Sequence, residues 1–421
     1  MNKIRQYFSK VTLIEGFFIA LLGSGFIYLN HWGISYPFVN TILALATLFL
    51  LLRTNTKSWF WYGAFTGILW FWWIVLSFNH YGMVWAIPIG LLVISLTYAI
   101  VFWFISKIAS LFETQSVLLP LLVKSLGLLT ISYLHPFGFD WLKPELMFVE
   151  SYIGIEKWQF LLVLLSIVLA LWKQNVLFLL LIIFAYSPSK SLVTYSDTNL
   201  QLVQTHTTVT DKWNPTLHQK QFSALLQTID SAIHNAQPTI VLPESVFPIF
   251  LNREPYLLDA LKQRAQKINI ITGALYLDHN TPRNSTYIFT KNNLQIANKV
   301  LLVPFGESNP LPNFLSKWVN DVFYDGAIDY EASAEITDYQ IDGVTYRNAI
   351  CFEATSEALY KGTPKNMIVL SNNGWFTPSI EPTLQKLLLQ YYNLKYGTTI
   401  YHAVNMSDSY VVRNRDYIKS K

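Results

Sequence analysis

Three ionisable residues, each beside a short apolar run, are the ones in this chain whose types can do chemistry together. Cys351 is the only cysteine; it ends the run from Tyr346 to Ile350 and is followed by Phe352 and Glu353. Glu244 closes the run Ile240 to Pro243, and Lys299 opens a run through Val303 and Pro304 to Glu307. A thiol becomes a nucleophile when a base takes its proton or a nearby positive charge favours the thiolate. Glu244 is the candidate base and Lys299 the candidate cation. Each residue also has a plain structural reading. A free cysteine packs as a small hydrophobe, Glu244 could cap a helix beginning near Ser245, and Lys299 could be a charge that protects a sheet edge.

The elements that must hold these residues follow from apolar periodicity. Ala349 and Ile350 predict a short buried strand with Cys351 at its end, where a turn or helix start leaves backbone N–H groups facing the thiol. Strand-like runs at 200–204, 239–242, 270–275, 285–290, 294–303, 344–352 and 367–371 are interleaved with helical periodicity at 218–234, 257–268, 355–360 and 384–396. That order implies a layered α/β domain with strand ends as its working edge.

Everything before that domain has another texture. Of the 421 residues, 52% are hydrophobic and 13% charged, which is high and low respectively for a soluble protein. Up to Ser187 there are 10 Lys and Arg against 6 Asp and Glu, and 20 of each thereafter. Eleven of the 14 Trp also lie in the first part. Basic excess with Trp flanking apolar runs points to a bilayer and away from nucleic acid. Spans are expected at about 12–30, 34–52, 59–78, 84–105, 117–137, 158–172 and 175–187, giving about seven crossings, or six because the last two are short. No small-residue cleavage site follows Lys3, Arg5 and Lys10, so the first span is read as uncleaved. Arg53, Lys57, Lys107 and Lys173 fall on the side of the basic N-terminus, while the loops at 31–33 and 79–83 carry no Lys or Arg. That alternation predicts a cytoplasmic N-terminus and an extracytoplasmic domain after the last span. Lys124 and Glu15 are charges inside spans, either functional or snorkelling to an interface. The connection from Gly138 to Lys157 reads as a long outer loop, either solvated or touching lipid.

The three motifs, in this order and spacing, resemble the Glu, Lys and Cys motifs of the nitrilase, or carbon–nitrogen hydrolase, superfamily. The Val303-Pro304-Phe305-Gly306-Glu307 form behind many apolar helices is similar to the apolipoprotein N-acyltransferase family. The likeness runs from about Leu200 to Asn405, with the membrane half agreeing in layout. It implies a polytopic α-helical membrane domain at 1–187, followed at 188–421 by an α/β nitrilase-like domain, a four-layer αββα sandwich. It also implies catalysis by Glu244, Lys299 and Cys351, with Glu307, Glu353 and Phe352 in supporting places. For Glu353 a solvated loop acid is the alternative. Trp213, Asn284 and Trp375 match segments that would bind substrate, with core packing as the rival reading for the aromatics.

The activity implied is phospholipid-dependent N-acylation of the diacylglyceryl-cysteine of apolipoproteins through a Cys thioester, by a monomer in the bacterial inner membrane with its catalytic domain periplasmic. A membrane-tethered amidase is the rival enzyme, and a transport or receptor protein whose outer domain only binds is the rival from another class. No cofactor is implied, and the eight His show no metal-ligand spacing. Three departures from the family pattern stand out. Phe352 takes the place of a tyrosine, Thr383 and His402 stand where a His and an Arg are usual, and no apolar run follows Arg413-Asn414-Arg415-Asp416.

Overall fold

The structure, a computed structural model, describes residues 9–187, 191–304, 306–307 and 330–414. Lys3, Arg5, Phe305, Arg415 and Asp416, used in the sequence reading, lie outside the described residues. The chain forms two compact units: one comprises Met1–Pro136, Asp140–Ser189 and Pro378–Tyr391, the other Phe137–Phe139, Lys190–Thr377 and Tyr392–Lys421. Two short segments therefore cross the linear boundary expected at 187, because hydropathy along the chain does not record which side a later helix joins.

The first unit is built from helices α1 (Lys10–His31), α2 (Pro37–Arg53), α3 (Thr56–Phe71), α4 (Ile87–Ser110), α5 (Leu118–Thr130) and α6 (Lys157–Trp172). Among the described residues, three stretches, Lys10–His31, Thr56–His80 and Val84–Ser110, are long and apolar enough to cross a membrane. Shorter apolar helices occupy the other expected places, the last being a 3-10 helix at Val176–Ala185. Large apolar side chains such as Ile14, Phe18, Leu92 and Ile100 are exposed on α1 and α4, a surface that water would penalise and lipid accepts. Between α3 and α4 the helices come close. A Cβ on Gly63 would lie 2.4 Å from the Tyr98 carbonyl oxygen, and one on Gly67 2.8 Å from the Tyr98 ring. Small residues at this spacing are what let membrane helices pack through dispersion.

Both charges within spans have structural partners. Lys124 Nζ donates to the Thr54 carbonyl at 2.6 Å, at the C-terminal end of α2, where carbonyls lack helical donors. Ser58 donates to the Glu15 carboxylate in a short hydrogen bond. The connection after Gly138 is no solvated loop: Asp140 through Val149 are all buried. Its Glu145 is fully buried, 2.6 Å from Lys157 Nζ, and accepts from Tyr391 Oη at 3.2 Å. Tyr391 belongs to helix α9 (Glu381–Tyr396), whose Gln390 donates to Glu150 at 3.2 Å and whose Thr383 pairs with His31 at 3.0 Å.

Among its described residues the second unit holds two six-stranded sheets. Strands β1 (Ser191–Thr194), β8 (Asp338–Ile341), β9 (Val344–Ile350), β10 (Asn366–Asn372), β11 (Thr399–Asn405) and β12 (Tyr410–Asn414) make one, in the order β1-β12-β11-β10-β9-β8. Its centre, β9-β10-β11, is parallel. Strands β2 (Gln201–Leu202), β3 (Thr239–Val241), β5 (Asn269–Asp278), β6 (Thr281–Thr290) and β7 (Asn293–Asn298) make the other, with β4 (Phe247–Phe250) paired to β5.

Strand alternation decides the layers. Val241, Ile271 and Ile288 face inward and pack with Ile368, Leu370 and Ala403 of the opposite sheet. Their neighbours Ile240, Ile270 and Phe289 face outward and pack with Leu225 and Ile229 of helix α7 (Pro215–His234) and Leu261 of α8 (Pro255–Arg264). After β9, Tyr360 of the 3-10 turn Glu357–Tyr360 stacks on Tyr392 and Tyr396 of α9. The result is the layered αββα arrangement. Strands β1, β4, β8, β11 and β12 are additional to those the sequence pattern indicated, and β7 ends at Asn298, so Lys299 to Val303 run beyond the strand.

Candidate active site

Three chain reversals at strand ends build the site. Strand β9 stops at Ile350, and Cys351 takes a left-handed backbone with φ of 52° before the 3-10 turn Cys351–Thr355. A non-glycine residue held there stores strain and marks a position fixed by its surroundings. The surroundings are Glu353. One of its carboxylate oxygens accepts from Ile350 N at 2.7 Å, and the other from Val300 N at 2.7 Å and Leu301 N at 3.1 Å. Glu353 thus ties the cysteine turn to the segment that carries Lys299. It is buried, contrary to a solvated loop acid, and burial pushes its pKa up to about 7 against the opposing pull of Lys299 and the three N–H donors.

Glu244 follows β3, and Ser245 after it is also left-handed, with φ of 46°. No helix begins there, so the capping reading fails. The turn lies on β5 at Gly273, where a Cβ would come within 2.4 Å of Ser245 N and 2.6 Å of Glu244 Cα. Only a glycine lets the strand pass this close. Lys299, just after β7, is fully buried and so is no edge charge. Its Nζ lies 2.7 Å from Glu307 Oε2 and 3.7 Å from Glu244 Oε1. Asn284 on β6 donates to both carboxylates, at 2.8 Å to Glu244 and 2.9 Å to Glu307, so the structure places it inside the carboxylate cluster. Val303 N donates to Glu307 Oε2 at 2.9 Å and closes the loop around the pair.

Burial raises the pKa of Glu244, and the neighbouring Glu307 adds to it, while Lys299, the Asn284 amide and Lys212 work the other way. For Lys299 burial alone would favour the neutral amine, but Glu307, Glu244 and Cys351 outweigh it and hold the ammonium charged. The cluster therefore combines a carboxylate of raised basicity, a fixed cation and a thiol within electrostatic reach of that cation. Such a set can take the thiol proton, attack a carbonyl and steady an oxyanion.

Phe352 is buried and stacks on Phe139 with ring centroids 5.6 Å apart. Trp213 is partly exposed after the helical turn Val209–Lys212, and Trp375 is partly buried in the 3-10 turn that follows β10. Lys212, beside Trp213, is the residue the sequence reading missed. It is buried, and its Nζ donates to the Glu244 carbonyl at 3.1 Å. Its place in the Lys212-Trp213-Asn214-Pro215 segment was the available signal. Among the described residues no group of His, Cys, Asp or Glu is arranged to hold a metal ion.

A helical unit with membrane-length apolar stretches and a two-sheet α/β unit, in which a buried Glu–Lys pair accompanies a half-buried cysteine, define a membrane protein with a layered αββα domain. Residues 10–188 match the model of the apolipoprotein N-acyltransferase integral membrane domain. The chain is 42% identical to apolipoprotein N-acyltransferase of Wolinella succinogenes, over 96% of this chain and 97% of that protein. It is 33% identical to apolipoprotein N-acyltransferase of Helicobacter pylori, over 94% and 95% respectively. A solved CN-hydrolase superfamily protein from Xanthomonas campestris is 15% identical, with a TM-score of 0.37 over 50% of this chain and 76% of that one. The chain belongs to the apolipoprotein N-acyltransferase family.

Proposed function

We propose that this protein moves a fatty acyl group from a membrane phospholipid to the α-amino group of a diacylglyceryl-cysteine at an apolipoprotein N-terminus, by way of a thioester on Cys351. The observation that carries the reading is the buried cluster in which Lys299 lies between the carboxylates of Glu307 and Glu244, in a chain that also has apolar membrane-length helices. Glu244 takes the thiol proton, and the thiolate attacks the ester carbonyl. Lys299 and the N–H of Phe352 hold the resulting oxyanion. The C–O bond then breaks, and the lysophospholipid leaves with the proton from Glu244. In the second half the acceptor amine attacks the thioester, Glu244 takes the amine proton, and the C–S bond breaks to restore the cysteine. Glu307 and Asn284 keep the lysine and Glu244 in register, and Glu353 holds the cysteine turn. Trp213 and Trp375 line the path of the chain-shaped substrates.

Both substrates live in the bilayer, which is the physical reason for joining a hydrophilic domain to a helix bundle: the reacting ester must leave the headgroup region while its chain stays in apolar surroundings. The acceptors are exported, so the catalytic unit lies on the periplasmic side of the inner membrane, after about seven crossings, in agreement with the basic loops. One chain supplies every member of the cluster, and a monomer suffices. Incubating the purified protein with phospholipid alone should add one fatty acyl group to the Cys351 peptide, removable by neutral hydroxylamine and missing in Cys351→Ala. A diacylated lipopeptide should then collect it. An unmodified cysteine in an active enzyme overturns the mechanism, and steady release of free fatty acid without an acceptor favours the hydrolase.

A further inference from the structure

Lys212 ends a four-residue helical turn that is pinned at several points. The Thr208 side chain accepts from Asp211 N at 3.1 Å, His218 Nε2 donates to the Lys212 carbonyl at 3.1 Å, and Gln221 donates to the Asp211 carbonyl at 2.8 Å. The side chain is 2% exposed and runs to the Glu244 carbonyl, which among the described residues is the acceptor its ammonium has. A buried ammonium on a single neutral carbonyl is costly, and such charges persist where a negative group faces them. The groups facing Lys212 are Glu244 after β3 and Cys351 after β9, with His218 of α7 and Asp211 of its own turn at its main chain.

We propose that Lys212 is a positioning residue of the thioester site: its ammonium fixes the main chain at Glu244 and adds a second positive charge that holds Cys351 as thiolate. This rests on the acyl-transfer reading for its purpose, though not for its geometry. Burial lowers the Lys212 pKa to about 8, and Glu244 and Cys351 oppose the lowering, so the charge is retained at neutral pH. Lys299 forms ion pairs with two carboxylates, whereas Lys212 has the Glu244 carbonyl as its hydrogen-bond acceptor among the described residues, and its charge acts first on the Glu244 carboxylate and then on Cys351.

Because Cys351 is the only cysteine, alkylation of the full-length protein by iodoacetamide reads this thiol directly. In Lys212→Met and Lys212→Gln the midpoint of the pH–alkylation curve should rise by about one pH unit, about tenfold less thiolate at neutral pH, and acylation by phospholipid should slow by a similar factor. Lys212→Arg, which keeps the charge, should restore most of the midpoint. Neutral variants with the wild-type midpoint, or an arginine variant as shifted as the methionine one, overturn the proposal. Should neither neutral variant fold, Lys212→Arg decides: a midpoint within about 0.3 pH unit of wild type supports the assignment, and one raised by about a full unit overturns it. A shifted midpoint beside an acyltransferase-active Cys351→Ala keeps the lysine assignment and removes the thioester; normal acylation without any shift does the reverse.

Discussion

Lys299 shows what a single buried charge does in this site. It is fully buried, with its Nζ 2.7 Å from Glu307 and 3.7 Å from Glu244 and the cysteine within electrostatic reach. Replacing it with methionine removes the cation proposed to steady the oxyanion and leaves the Glu244 and Glu307 carboxylates with the neutral donors Asn284 and Val303 N but without the lysine charge. Lys299→Met should lower Cys351 acylation by about 10²-fold or more, and should also lower thermal stability by about 3–5 kcal/mol, the usual cost of breaking a buried pair from one side. Intact-mass acylation and melting in detergent check the two effects, and an acylation rate within threefold of wild type would remove Lys299 from the chemistry. Gly273 is the backbone counterpart. A Cβ there would meet Ser245 N at 2.4 Å, and a backbone atom cannot swing aside as a side chain can. Gly273→Ala should displace the Glu244 turn, with a loss of about 1–3 kcal/mol in stability and a fall in acylation larger than the fall in folded protein.

Elements set these residues through their ends. The parallel strands β9, β10 and β11 run side by side, and the loops at the ends of β9 and β10 carry Cys351 and Trp375. His402 on β11 is buried with Nε2 2.7 Å from Ser371 Oγ, and burial lowers its pKa from 6.5 to about 3. A histidine whose folded pKa is depressed contributes stability in full above 6.5 and loses it as pH falls toward the folded value. The melting temperature should therefore fall between about pH 6.5 and 3, and His402→Gln, which keeps an acceptor for Ser371, should show a shallower fall over that range. Equal slopes in the two proteins would mean that other groups govern the acid limb. In the helical unit the corresponding element-scale feature is the close approach of α3 and α4. Gly63→Leu would push a side chain into the Tyr98 backbone and should sharply reduce the folded yield in membranes, measured by detergent extraction and size-exclusion chromatography.

At the scale of the whole molecule, three membrane-length apolar stretches and four shorter helices bury more apolar length than any peripheral anchor. The protein should stay in the membrane fraction after a carbonate wash, and release would mean that core helices had been mistaken for spans. Orientation is tested in a Cys351→Ala background with a cysteine at exposed Lys291. A membrane-impermeant thiol reagent should label intact spheroplasts, and labelling only after lysis would put the catalytic unit on the wrong side for exported acceptors.

Sequence by itself determined the division into an apolar helical part and an α/β part, because apolar length and strand–helix alternation are local properties. It also singled out Glu244, Lys299 and Cys351, since each motif lies beside its own strand and keeps its order. Tertiary structure decided what joins them. Glu353 reaches Val300 and Leu301 across 53 and 52 positions, Asn284 bridges two carboxylates, and Lys212 arrives from a helical turn far along the chain from Glu244. It likewise decided that Lys124 and Glu145 are packed structural groups and that part of α9 belongs to the helical unit. Burial and charge pairing depend on which distant segments meet, and no local periodicity encodes that; strands β11 and β12 escaped notice for the same reason, being buried on faces that supply little alternation to read.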